Sequence, residues 1–314
     1  FHLSLWLCIE YDLSYEEERR AGYEVKPDEI IWDDNDYVHD SHFATKARLD
    51  ENTKLEEPFF EHLKKFVDDG AECFKLDGCH QIDDHPDRQW GNGMSDEEMH
   101  NLFPLIYAKQ MSLGFREHTG RRAMIYTSGG YTGIQKYAAT WAGDTGGGAK
   151  PLASMLNLGY SGHSNVSCDM ETNSAEGIHF GFMQTWSQLS NWAYWNQPWY
   201  LGDDLCDCFR FYAKLRYRLA PYIYTMAHKA AETGYPVMRA MSMEYPEMKN
   251  ADALCCQYMF GDSILTSAFV DEVTLPEGGW INGWTGENAD GGKTYPVAKE
   301  GLIGGPLYIK SGAI

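Results

Sequence analysis

The sequence predicts an α/β fold: a (β/α) barrel entered partway, followed by a small antiparallel β module. Three observations lead there. Up to about residue 245, short apolar strands alternate with amphipathic helices, the pattern of βα units and a parallel sheet. Each of those strands runs into polar or glycine-rich sequence, as strands do at the rim of a barrel. After Pro246 the helical pattern stops, and short strands separated by paired glycines take over. Too few strands are present to close eight. A doubly wound sheet is the structural alternative, and periodicity does not separate the two.

The elements follow in order. Phe1–Ile9 reads as a buried strand. In Pro58–Asp69 the residues Phe59, Phe60, Leu63, Phe66 and Val67 recur at helical spacing, and Gly70 ends that helix. Cys73, Phe74 and Leu76 then make a strand that closes at Asp77-Gly78. Further strands are expected at Ala123–Ser128, Ala139–Asp144 and Gly162–Asp169, with another at Phe182–Trp186. Asp204–Thr233 is helical, with Pro221 expected to interrupt it. Ser263–Val270, Glu272–Leu275 and Pro306–Lys310 read as the strands of the β module.

Composition removes several function classes. The 314 residues carry 26 Lys plus Arg against 46 Asp plus Glu, a formal net charge of −20. Such a surface repels phosphate backbones and anionic lipid, so neither nucleic acid nor a membrane is expected as partner. No apolar run approaches the roughly 18–20 residues of a membrane span. Aromatic residues make up 14%, including 10 Trp and 20 Tyr, a supply of flat apolar faces with polar edges that suits sugars and large cores alike. The eight cysteines include no CxxC pair, which favours reduced thiols in a cytoplasm-like compartment. The chain opens on Phe1 rather than Met and is expected to be an excised or incomplete segment, so the lack of a signal peptide carries no information.

Two carboxylates stand out. Asp77 closes an apolar strand, where a barrel keeps its reactive groups, and Lys75 points to the same side by strand alternation. A lysine there would hold Asp77 ionised, as a nucleophile requires. A structural Asp–Lys pair explains the same residues. Asp144 ends Thr140–Asp144 and precedes Thr145-Gly146-Gly147-Gly148; desolvation by Trp141 would raise its pKa and suit a general acid. A helix cap is the competing explanation. Two rim carboxylates on separate strands are the minimum that glycoside hydrolysis requires. The stretch Cys79–Asp87 and the acidic run Asp33–Asp36 match no metal-ligand spacing and read as solvated loops, so no metal or cofactor is expected.

With those residues in place, the chain resembles glycoside hydrolase family 31, the retaining α-glycosidases. Phe74–Asp77 (FKLD) is similar to the family's nucleophile motif, and Gly133–Asp144 (GIQKYAATWAGD) to the segment that carries its acid/base. Arg216–Tyr224, Pro236–Pro246, Tyr258–Leu265, Leu275–Trp280 and Gly305–Ile314 resemble later landmarks. The resemblance implies a (β/α)8 TIM barrel, incomplete at the N-terminus, over residues 1–246 and a partial C-terminal antiparallel β-sandwich over 247–314. It makes Asp77 the nucleophile and Asp144 the acid/base, with carboxyl groups about 5–7 Å apart. Trp6, Lys75 and Trp141 would line the sugar subsite, and Asp169 would belong to the following strand motif. The expected reaction is exo-acting cleavage of an α-glycoside or oligosaccharide by double displacement. A silent carbohydrate-binding relative and an α-transglycosylase are the alternatives, and oligomeric state is left open.

The departures from the family pattern concern the sugar. Where the family places a sugar-binding Arg after the fifth strand, this chain has Ser128. The aromatic residue after the nucleophile is Gly78, and the Arg and His of the eighth-strand segment are Gln188 and Ser190. The expected sugar is therefore not plain glucose.

Overall fold

The computed structural model describes residues 2–8, 59–77, 98, 101–189 and 197–313. The chain divides into two compact units, Phe1–Trp141 and Ala142–Ile314.

In the first unit four strands pair in sequence order: β1 (Leu3–Cys8), β2 (Ala71–Asp77), β3 (Met124–Thr127) and β4 (Ala139–Trp141). All three pairings are parallel, so each connection must cross the sheet. A 3-10 stretch at Phe59–Leu63 leads into α1 (Lys64–Asp68) before β2, and α2 (Phe103–Thr119) lies between β2 and β3. Pro104 stands in the first turn of α2, where its missing N–H costs nothing. Gly120 ends the helix at φ 69°, its N–H donating to the Arg116 carbonyl at 2.9 Å.

Phe103, Tyr107, Met111 and Phe115, four residues apart along α2, pack with Phe74, Leu76 and Ile125 of the sheet, and Leu5 and Leu7 join them. Fully burying one such side chain is worth about 1.5–3 kcal/mol. The face of β2 that carries Phe74 and Leu76 is thereby fixed toward the helices. Lys75 and Asp77 are sent to the opposite face, because a one-residue slip would exchange the two sets. The stripe on the 59–68 segment is Phe60, Leu63 and Val67; Phe66, expected inside, is 47% exposed and lies beside Lys65. A helical step from Val67 turns it about 100° off the stripe.

The second unit begins with α3 (Ala149–Tyr160), β5 (Val166–Ser167), β6 (Asp169–Met170), α4 (Ala175–Phe182), β7 (Gln188–Leu189) and α5 (Asp203–Thr233). Strands β6 and β7 pair in parallel across α4. The strand expected at Phe182–Trp186 is absent, and its physical reason is Arg216. This buried guanidinium donates to the carbonyls of Phe182 (2.8 Å), Gln184 and Thr185 (2.7 Å), so these groups serve a side chain instead of a neighbouring strand. Burial lowers the Arg216 pKa to about 10. Pro221 does not interrupt α5, which is continuous over 31 residues. The carbonyl deprived of a donor is that of Tyr217, and both Tyr217 and Pro221 lie on the exposed side of the helix, where water can take the donor's place.

The β module follows: β8 (Met238–Ala240), the short α6 (Met241–Glu244), β9 (Gln257–Phe260), β10 (Ile264–Ser267), β11 (Glu272–Thr274), β12 (Gly279–Asn282), β13 (Asn288–Asp290), β14 (Thr294–Pro296) and β15 (Leu307–Lys310). Six of them form an antiparallel sheet in the order β13-β12-β15-β10-β9-β8, and β11 pairs with β14. Both faces of its centre are buried. Tyr258, Phe260 and Ile264 pack with Leu152, Met155 and Phe180, while Met259 and Leu265 pack with Val273, Leu275 and Trp280.

Candidate active site

The open face of the parallel sheet in the first unit gathers three of the residues singled out in the sequence. Trp6 is the register partner of Lys75, and Cys8 that of Asp77. Parallel partners present their side chains to the same face, so Trp6, Lys75 and Asp77 share it. The Trp6 indole N–H donates to Oδ2 of Asp77 at 2.8 Å, and the Lys75 ammonium stands 3.7 Å from the same oxygen. Lys75 Nζ also lies 3.9 Å from the centre of the Trp141 ring, a cation–π contact that pins the ammonium between ring and carboxylate. Asp77 and Lys75 are each about one-fifth exposed. The Asp77 carboxylate, at the end of its strand, is thus contacted on one oxygen by a neutral N–H donor and by a cation.

Trp141 is fully buried, and its indole Nε1 has no hydrogen-bond partner among the described residues. Ser128 follows the end of β3 and is half-buried. Gly78 and Ser190 lie outside the described residues, as do the Cys79–Asp87 and Asp33–Asp36 stretches.

In the second unit Asp144 sits in the glycine-rich loop ahead of α3 and is exposed. The desolvation expected from its spacing to Trp141 is therefore not found at this side chain, because its loop leaves β4 before reaching it. Gly147 seats this loop. A Cβ there would stand 2.6 Å from the Cβ of Glu171 and 2.9 Å from its backbone nitrogen, so only glycine allows the loop to approach the end of β6 so closely. Asp169, the first residue of β6, is buried; Oδ1 accepts from Gln188 Nε2 at 2.9 Å, and the two are register partners between β6 and β7.

Gln184 was not foreseen from the sequence. It is wholly buried, accepts from the Ser167 hydroxyl (3.0 Å) and the Cys168 backbone N–H (2.9 Å), and donates to the Cys168 thiol (3.2 Å). Those bonds divide the expected Gly162–Asp169 strand into β5 and β6 and fix the backbone that carries Asp169. The available signal was a polar pair, Gln184-Thr185, inside the apolar run Phe180–Trp186. Burial pushes the Cys168 thiol up to about 12, so it is an inert part of this support.

Comparison with known proteins identifies the family and the fold. Residues 5–226 match the glycosyl hydrolases family 31 TIM-barrel domain, and residues 234–314 match the glycosyl hydrolase family 31 C-terminal domain. The match decides for the barrel over the doubly wound sheet. Alpha-glucosidase 2 of Bacillus thermoamyloliquefaciens is 29% identical over 245 residues, 71% of this chain and 31% of that protein. An alpha-xylosidase of Saccharolobus solfataricus is 30% identical over 298 residues, 82% of this chain and 40% of that one. The structure of a Flavobacterium johnsoniae dextranase complexed with glucose superposes with a TM-score of 0.71 at 25% identity, over 81% of this chain and 36% of that chain. The chain thus spans between about a third and two-fifths of the length of these relatives.

Proposed function

Because the chain belongs to glycosyl hydrolase family 31, we propose that it supplies the catalytic carboxylates of a retaining, exo-acting α-glycosidase, with Asp77 as nucleophile and Asp144 as acid/base. The observation that carries the reading is the double hold on Asp77 Oδ2 by the Trp6 indole and the Lys75 ammonium. An N–H donor and an ammonium at one oxygen fix the orientation of the carboxylate, as a nucleophile needs.

In the first step the Asp77 carboxylate forms a bond to the anomeric carbon as the glycosidic C–O bond breaks, and Asp144 gives its proton to the departing oxygen. In the second, Asp144 takes a proton from water while that water's oxygen bonds to the anomeric carbon. The ester bond to Asp77 breaks, and its electron pair returns to the carboxylate. A sugar hydroxyl in place of water would give transglycosylation from the same intermediate. The barrel part of the chain is assigned to residues 1–246 and the β module to 247–314, with β8 (Met238–Ala240) reaching across that boundary into the antiparallel sheet. Trp6, Lys75 and Trp141 are assigned to the subsite for the reacting sugar, and Asp169 and Gln188 to sugar binding as well.

The sugar in this reading is α-linked but not unmodified glucose. Ser128, Gln188, Ser190 and Gly78 replace larger or charged groups of the family pattern, and a site that has lost hydrogen-bond donors to a hydroxyl discriminates for it less. The test is a panel of p-nitrophenyl α-glycosides (glucoside, xyloside, galactoside and N-acetylgalactosaminide) on the intact protein and its Asp77→Ala variant. Turnover with retained anomeric configuration, lost in the variant, supports the reading. Full turnover by the variant contradicts it, and a preference for the glucoside contradicts the sugar assignment alone.

A further inference from the structure

Trp6 is expected to serve the sugar as an aromatic wall, yet its indole N–H is spent on a protein atom. It donates to Oδ2 of Asp77 across the β1–β2 pairing, from two register positions before the strand end. Building on the assignment of Asp77 as nucleophile, we infer that Trp6 is a positioning residue that promotes the second half of the reaction, the departure of Asp77 from the sugar.

The argument is one of charge. An N–H···carboxylate bond is strongest when the carboxylate is anionic and weaker when the same oxygens belong to an ester. During attack Asp77 loses negative charge, so this hydrogen bond weakens as the bond to carbon forms. During breakdown of the glycosyl-enzyme the carboxylate regains charge, and the hydrogen bond strengthens toward the transition state. Only interactions stronger in the transition state than in the state before it accelerate a step, so Trp6 assists departure of the carboxylate more than its attack. Lys75 acts on the same oxygen from 3.7 Å, beyond hydrogen-bond distance, as a fixed charge pinned over Trp141. Trp6 contributes a directional hydrogen bond to the hold. The fixed register of β1 against β2 keeps the indole in place while Asp77 changes from anion to ester and back.

Trp6→Phe keeps a smaller aromatic face for the sugar and removes the donor. The variant is made in the intact protein and assayed with dinitrophenyl α-glucoside, α-xyloside and α-galactoside, using whichever is turned over fastest. The activated leaving group makes breakdown of the glycosyl-enzyme the slow step. The expected result is a kcat lowered roughly fivefold, the difference between a hydrogen bond to an ester oxygen and one to a carboxylate at a partly exposed site. KM falls with it, kcat/KM stays within about twofold, and the glycosyl-enzyme dominates mass spectra of the quenched steady state. Trp6→His, which keeps a ring N–H, recovers part of kcat. If kcat/KM falls as far as kcat and no intermediate accumulates, Trp6 is only a wall for the sugar and the inference is overturned. Asp77→Ala separates the two ideas: full turnover there removes the nucleophile assignment itself, whatever Trp6→Phe shows.

Discussion

Gln188 and Asp169 are direct partners in the parallel register of β6 and β7, and the Gln188 amide donates to Asp169 Oδ1 at 2.9 Å. The family pattern puts an arginine at position 188, so a neutral amide here meets a carboxylate that would otherwise face a guanidinium. Gln188→Arg replaces a neutral donor to this carboxylate by a charged one, a difference of about 1 kcal/mol or more. The expected outcome is a rise of roughly fivefold or more in the ratio of α-glucoside to α-galactoside kcat/KM. An unchanged ratio would mean that this pair does not read the sugar.

The loop that carries Asp144 depends on the absence of a side chain at Gly147. Gly147→Ala sets a methyl group 2.6 Å from Glu171 Cβ and 2.9 Å from a backbone nitrogen, an overpacking that costs about 1–3 kcal/mol unless the loop moves away. Loop movement displaces Asp144. Activity should fall by roughly a hundredfold, while the midpoint of thermal unfolding drops by only a few degrees. Retention of full activity would show that the placement of this loop is not needed.

His179 makes stability depend on pH. It is fully buried, with Nε2 2.8 Å from the Thr266 hydroxyl and Nδ1 3.0 Å from the Tyr212 hydroxyl. Thr266 gives its own proton to the Pro306 carbonyl and Tyr212 accepts from the Gly304 N–H. Nε2 therefore donates to Thr266, and Nδ1 accepts from Tyr212. Burial lowers the His179 pKa from 6.5 to about 3. Between those values the unfolded chain binds a proton that the folded chain refuses. Stability from this group is complete above about pH 6.5 and declines as pH falls toward 3, by at most about 1.4 kcal/mol per pH unit. Urea unfolding at pH 7.5 and 4.5 should show a smaller loss for His179→Gln than for the wild type. Equal losses would contradict the account.

Arg216 is the other buried group with a large expected effect. Its guanidinium holds three carbonyls at the end of α4, and Arg216→Met leaves all three without that donor. Destabilisation of about 3–5 kcal/mol is expected in chemical denaturation. Arg216→Lys should restore only part of it, since a single ammonium cannot reproduce the planar fork.

Much of this was legible in the sequence. The helical spacing in Pro58–Asp69, the alternation in Cys73–Asp77 and the paired glycines after Pro246 each specify an element through burial, and burial leaves a pattern in residue types. Asp77 and Lys75 were legible for the same reason: two polar residues two apart at the end of an apolar strand must share a face. Gln184 and Arg216 act through backbone carbonyls and amides far away in sequence, and no local pattern encodes such partners. The misplaced strand at Phe182–Trp186 follows from that blindness, because its apolar residues are real while its carbonyls are already taken. The exposure of Asp144 was missed because spacing from Trp141 was read as proximity, whereas the strand ends at Trp141 and a glycine loop intervenes.

The central claim is that Asp77 bonds covalently to the sugar. The direct measurement is peptide mapping of the intact protein after reaction with fluorinated α-glycosyl fluorides of the gluco, xylo and galacto series, which leave long-lived glycosyl-enzymes on retaining α-glycosidases. The account predicts one added sugar, located on the peptide that contains Ala71–Asp77 and absent from Asp77→Ala. A sugar found on any other residue, or an Asp77→Ala variant that still labels and still turns over substrate, would contradict it.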